Sequence, residues 1–267
     1  MTTDAKKFLK YSAIVLGALV IISAIVSLFG AGKAIFGFGN FSAVGENRTY
    51  EVTGEITSLE VEISAADFRI ETGDSFSVES NLKNLTFRQT ADRLILLEKS
   101  AGNRSYNGAF LVIYIPEGTV FTELDIFTGA GKFTADSLSA EKLELEFGAG
   151  DVNIGKLIAT REAEIEGGAG SITIGGGSLC GLALEMGVGA LHFTSALMGE
   201  SSLDLGVGEA VITLLGSAED YTLELNKGIG DIRLNGQLLS NGRKVGNGLN
   251  YIEINGGIGS ISVDTDS

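Results

Sequence analysis

Six acidic residues recur at fixed distances before short glycine motifs. They are Glu144, Glu146, Glu164, Glu166, Glu185 and Asp204, each two or four residues before a Gly-x-Gly. Oxygen atoms from neighbouring chain segments are the ligands that Ca²⁺ takes in proteins. The spacing therefore predicts either a calcium ladder or a solvated acidic face that keeps the protein soluble. The acidic face is favoured because no Gly-Gly-x-Gly-x-Asp calcium repeat occurs in the chain.

Residue types that carry other chemistry are scarce. The chain has one histidine, His192, one cysteine, Cys180, and no tryptophan, which excludes an internal disulfide and a Cys/His zinc site. His192 falls on the outward side of a predicted strand, and Cys180 lies between two repeats. No Gly-x-Ser-x-Gly nucleophile elbow is present. The sequence predicts no catalytic residue, no cofactor and no enzymatic activity.

The charge balance limits the class of partner. The 267 residues carry a net charge of −15, with 19 basic and 34 acidic side chains. Nucleic-acid binders neutralise phosphates with basic residues, so this composition excludes a nucleic acid as partner. Neutral or cationic partners are expected instead.

The glycine motifs define an internal repeat. Their first glycines follow one another at intervals of 19 to 29 residues, and a period near 20 is typical of a solenoid. Aliphatic residues alternate on both sides of each motif, which indicates two short strands joined by a tight corner. A dinucleotide-binding loop would need a helix after the glycines. The predicted corner glycines are Gly129, Gly148, Gly168, Gly187, Gly206, Gly228 and Gly257.

These patterns predict an all-β protein, a parallel β-solenoid of coils of about 20 residues. Residues 126–267 form its repetitive part, with successive coils stacked in chain order and the polar SVDTDS blunting the far end. Residues 49–125 repeat less regularly and are predicted to start and cap the solenoid, with Ser64 in place of a first glycine.

The N-terminus carries a membrane signal. Residues 11–32 are uncharged and long enough for a transmembrane α-helix. Three lysines precede this segment and one follows it, which places residues 1–10 in the cytoplasm and the solenoid outside. Residues 33–48 are predicted to be a linker. A cleaved signal peptide is the alternative, but the apolar run is longer than usual and no clear cleavage site follows.

Several motifs together resemble a known family. In chain order the motifs are an N-terminal membrane helix, ITSLEVEISAADFRI, a strand ending in YIPEG, LDIFTGAG and repeated GAGDVNIG units. This order of motifs looks like that of the bacterial putative-adhesin family of β-strand repeats. That family is a domain of unknown function. The resemblance covers about residues 49–265 and implies a parallel β-solenoid in a cell-envelope protein, without established catalytic residues.

Three classes of function follow. The first is a membrane-anchored envelope protein whose rigid solenoid binds an envelope protein or polysaccharide, as an adhesin, a sensor or a regulator. The second is a self-assembling scaffold whose solenoids stack end to end. The third is a carbohydrate-active β-helix enzyme, which the short corners and the absence of tryptophan disfavour.

Overall fold

A computed structural model describes residues 41–98 and 104–265 of the chain. The predicted cytoplasmic segment, the transmembrane helix and most of the linker lie outside these residues. Within the described part no helix is long and apolar enough to cross a membrane. The end of the predicted linker is not a linker in the structure, because residues 44–48 begin a strand that pairs with residues 77–82.

Strands dominate the described residues, with one short 3₁₀ turn at Ala218–Asp220. In chain order the strands are β1 (Phe41–Ser42), β2 (Val44–Glu51), β3 (Ser58–Gly73), β4 (Ser77–Leu82), β5 (Thr86–Thr90), β6 (Arg93–Glu98), β7 (Arg104–Ser105), β8 (Phe110–Pro116), β9 (Phe121–Ile174), β10 (Gly177–Cys180), β11 (Leu182–Met198), β12 (Glu200–Leu214), β13 (Tyr221–Leu234), β14 (Gln237–Leu238), β15 (Arg243–Gly246) and β16 (Asn250–Thr265). Strand β9 runs through several coils, and its neighbours pair with it in parallel.

Equivalent residues of successive coils lie directly above one another. Leu184 pairs with Ile165 on one side and with Leu203 on the other, and all three side chains are fully buried. The alternating aliphatic residues therefore form continuous columns inside the solenoid, and the outward residues form matching columns on its surface. The fold is an all-β, parallel β-solenoid.

The two glycines of each corner have different roles. A Cβ atom on the first glycine, Gly168, would lie 2.3 Å from the carbonyl oxygen of Gly148 in the preceding coil. The second glycine, Gly170, has φ +131°, and its Cβ would lie 1.9 Å from the oxygen of Gly150. Close stacking thus requires glycine at the first position, and stacking and backbone conformation together require it at the second.

The last two coils do not stack in chain order. Strand β16, which contains Gly257, lies between β12 and β13, so the coil of Gly228 is outermost. The predicted sequential order is wrong here, and residues 262–265 are covered rather than terminal. The insertion of β14 and β15 between the two coils gives the chain enough length to return. In this order Asn255 lies beside Asp204 and donates a hydrogen bond of 2.9 Å to its carboxylate.

Each end of the solenoid is closed by non-repetitive strands. Strand β3 is covered by β6 and β8, which pair with it in parallel. At the opposite end β14 and β15 pair antiparallel with β13. These strands protect the edges of the solenoid from unwanted pairing.

Candidate acidic binding face

Outward carboxylates of several coils share one side of the solenoid. Glu185 lies in register with Glu166, and Glu60 lies in register with Asp125. Coils are spaced by about 4.8 Å, so these side chains cannot move far apart. We call this surface the acidic wall, and it consists of Glu60, Glu62, Asp125, Glu144, Glu146, Glu164, Glu166 and Glu185.

The crowding of carboxylates changes their ionisation. Partial burial, reinforced by Glu123 and Glu144, raises the pKa of Asp125 to about 6. Burial first and neighbouring glutamates second also raise the pKa of Glu146 and of Glu166. Each group is harder to ionise than an isolated carboxyl because its charge adds to a negative field. A bound cation would relieve that field.

One arginine partly neutralises the edge of the acidic wall. The guanidinium of Arg93 donates to Glu60 at 2.7 Å and lies 3.6 Å from Glu123. The hydrogen bond to Glu60 raises the pKa of Arg93, so this cation stays charged. Within residues 41–98 and 104–265, no ion pair involves Glu146, Glu166 or Glu185.

An exposed aromatic ring interrupts the acidic column. Phe127 occupies the position that is Glu62 in the coil before and glutamate in the coils after, and it is 40% exposed. It lines a shallow hollow together with Asp125 and Glu144. An aromatic face flanked by carboxylates suits an ammonium or guanidinium group. The sequence analysis missed this residue, although its departure from the repeat was a visible signal.

The predicted calcium residues are not all equivalent. Five of the six lie on the acidic wall, whereas Asp204 is only 9% exposed. Its carboxylate accepts a hydrogen bond of 2.9 Å from Asn255, whose own oxygen accepts one of 3.0 Å from Asn226. Asp204 thus belongs to a buried polar ladder that ends the acidic column.

Calcium binding stays a prediction. Within residues 41–98 and 104–265 no group of three or more Asp, Glu, His or Cys side chains is arranged to hold a metal ion. If the wall is a solvated acidic face, millimolar Ca²⁺ and Mg²⁺ are expected to change the melting temperature equally. Calorimetric titration provides the second measurement. Saturable heat with Ca²⁺ alone would support the ladder instead.

The remaining candidates for chemistry lie apart from the acidic wall. His192 is exposed on the strand after its corner, where it pairs in register with Val211. Cys180 is a partly buried free thiol on β10. Neither residue is part of the wall.

The pKa of Asp125 predicts a pH dependence of stability. Its folded-state pKa of about 6 lies above the value near 3.9 expected in the unfolded chain. Asp125 therefore does not lower the free energy of unfolding below about pH 4. As the pH rises from there through 6, the stability that depends on this group is lost. With allowance for solvent screening, we expect the free energy of unfolding of Asp125→Asn to gain about 1 to 2 kcal/mol relative to wild type as the pH rises from 4.5 to 7.5. Urea unfolding followed by circular dichroism measures this difference, and parallel pH profiles would contradict it.

The solved structures that the chain resembles include a lipid-binding protein, described as putative, from Parabacteroides distasonis, with 16% identity, a TM-score of 0.39 and coverage of 86% of this chain and 100% of that one. A putative adhesin from the same organism has 12% identity and a TM-score of 0.36, over 85% and 100% of the two chains. A putative cell adhesion protein from Clostridium sporogenes has 14% identity and a TM-score of 0.30, over 83% and 99%.

No curated protein matches the chain. The family model described as Toastrack DUF4097 matches residues 45–248, which is most of the chain. This protein therefore belongs to the Toastrack DUF4097 family, a domain of unknown function.

Proposed function

We propose that this protein is a non-enzymatic binding protein of the bacterial cell envelope, whose acidic wall holds a cationic partner. The observation that carries the proposal is the parallel register, which fixes carboxylates of consecutive coils in columns. A partner with regularly spaced lysines or arginines complements such a face. An adhesin-like, sensing or regulatory role would use it in the same way.

The fold favours binding because the wall is held in place before the partner arrives. Backbone ladders on both sides fix each glutamate-bearing strand, so little backbone order remains to be lost on association. Burial first and neighbouring carboxylates second raise the pKa values of Asp125, Glu146 and Glu166, so the ionised form of these groups is disfavoured. Pairing with cations lowers that cost and supplies part of the binding free energy.

The proposed location follows from the N-terminal segment and the charge. The apolar residues 11–32 anchor the chain, and the lysines before them keep the N-terminus in the cytoplasm. The solenoid then lies outside the membrane. Its large negative charge is repelled by anionic headgroups, so that the acidic wall is free to meet partners rather than lipid.

The full-length chain in detergent micelles provides the test. We expect a fluorescent oligolysine peptide to bind, and to bind at least about tenfold more weakly to a triple variant carrying Glu146→Gln, Glu166→Gln and Glu185→Gln. Fluorescence anisotropy measures both affinities. Because the substitutions remove like charges from one column, they are not expected to unfold the solenoid.

A charge-matched control separates the wall from net charge. Glu200, Glu209 and Glu219 are exposed and lie outside the acidic wall. Their replacement by glutamine removes the same three charges and is expected to weaken binding less than about twofold. Equal losses in the two triple variants would show that the peptide senses only overall charge, and the proposal would fail.

A further inference from the structure

Charge is strongly segregated along the chain. Residues 162–226 contain ten acidic residues and no lysine or arginine. The next segment, residues 227–244, reverses this balance with Lys227, Arg233, Arg243 and Lys244 against the single acidic residue Asp231. In an acidic protein, four basic residues within one segment form a local positive region.

The fold gathers this segment at the end of the solenoid that β13 forms with β14 and β15. Lys227 and Arg233 lie on β13, the strand of the outermost coil, while Arg243 and Lys244 lie on β15, which pairs with it. We call these four residues the basic tip. Asp231 pairs with Arg233 at 3.1 Å, which balances one acidic charge of the coil. Glu224 accepts from the Tyr251 hydroxyl at 2.7 Å and lies in register with Lys244.

Two basic side chains of the tip are available to bind a partner. Lys227 and Arg243 make no ion pair within the described residues, and Arg243 is exposed. Beside them, Ile229 is 72% exposed and Ile258 of the next coil is 50% exposed. These two isoleucines lie in register at the glycine corner. The tip thus combines cationic side chains with a short apolar ridge.

We infer that the basic tip of one copy docks on the acidic wall of a second copy. The inference rests on the proposed function, because it names one partner of the same wall. The two surfaces match in charge, and each offers an apolar element, Ile229 on the tip and Phe127 on the wall. Two tips repel each other, as do two walls, so tip against wall is the favoured arrangement.

This contact joins two different surfaces and is therefore heterologous. Each copy in a pair keeps one free wall or one free tip, and further copies add at both ends. Repetition of the contact gives a ring if the rotation between copies closes and an open chain if it does not. The expected signature is association that grows with concentration and weakens with salt, since the contact depends on exposed charges.

A charge exchange tests the inference on the full-length chain in detergent micelles. We expect sedimentation velocity to show self-association at about 0.15 M salt and its loss at about 1 M. A tip variant with Lys227→Glu and Arg243→Glu is expected to stay monomeric, and so is a wall variant with Glu146→Lys and Glu166→Lys. Mixing the two variants is expected to restore association, because the unchanged tip of the wall variant meets the unchanged wall of the tip variant.

Matched controls make each outcome decisive. Lys132 and Lys156 are exposed and remote from the tip in the stack, so Lys132→Glu with Lys156→Glu should leave self-association unchanged. The tip variant should bind oligolysine at least as well as wild type, since its wall is intact. A mixture that stays monomeric, or a tip variant that associates like wild type, overturns the inference.

The same measurements keep the inference apart from the proposed function. A wild-type chain that binds oligolysine through its wall but remains monomeric removes the self-contact and leaves the proposed function standing. Loss of both properties removes both. Binding of the tip to phosphatidylglycerol vesicles without self-association assigns the tip to a lipid surface and also overturns the inference.

Discussion

Replacing Gly170 with valine is expected to destabilise the solenoid by more than about 4 kcal/mol. The residue has φ +131°, a conformation that a β-branched side chain does not adopt without strain. In addition its Cβ would lie 1.9 Å from the carbonyl oxygen of Gly150, and neither backbone can retreat without breaking the ladder. Chemical denaturation followed by circular dichroism measures the loss.

Two comparison variants isolate the cause. Gly168→Val carries the stacking clash without positive φ, so its loss should be large but smaller than that of Gly170→Val. Thr173→Val lies on the outward side of the following strand and should change stability by less than about 0.5 kcal/mol. If Gly170→Val were no worse than Thr173→Val, the corner would not depend on close backbone stacking.

Much of the architecture could be predicted from the sequence, because burial in a solenoid repeats with the coil. The aliphatic positions before and after each Gly-x-Gly read as two half-buried strands, and residues such as Leu145 and Ile154 are indeed fully buried. The separate requirement at the second glycine was not predicted. Both glycines are invariant within the motif, so the pattern alone does not tell a close approach from a positive φ.

The periodic pattern of the sequence did not predict that the last two coils exchange places in the stack. The coils of Gly228 and Gly257 carry the same aliphatic positions, so either could stack on the coil of Gly206. Asn255 and Asn226 both stand where most earlier coils carry acidic residues, so this position does not decide between the two coils either. Only in the stack does the consequence become visible, because Asn255 donates to Asp204 and accepts from Asn226. A ladder of side-chain amides thus replaces a ladder of like charges.

The residues of the acidic wall could be predicted from the sequence, but the differences in exposure along its columns could not. Regular spacing indicated that Glu146, Glu166 and Glu185 would share a column, and the register places them together. It could not indicate that Asp204 is buried, since that depends on which coil follows. The spacing also could not indicate the importance of Phe127, because the exposure of this ring matters only where the neighbouring coils present carboxylates.

The buried carboxylate of Glu98 caps the first corner, and its removal is expected to cost about 2 to 4 kcal/mol. Glu98 is only 2% exposed; its Oε2 accepts from the backbone N–H of Ser64 at 3.2 Å, and the Tyr106 hydroxyl donates to Oε1 at 3.1 Å. Glu98→Leu removes the acceptor of both hydrogen bonds at the end of the stack. Glu98→Gln keeps an acceptor for Ser64 and should lose less than half as much. Urea unfolding of the two variants measures the difference, and equal losses would mean that charge rather than capping makes Glu98 stabilising.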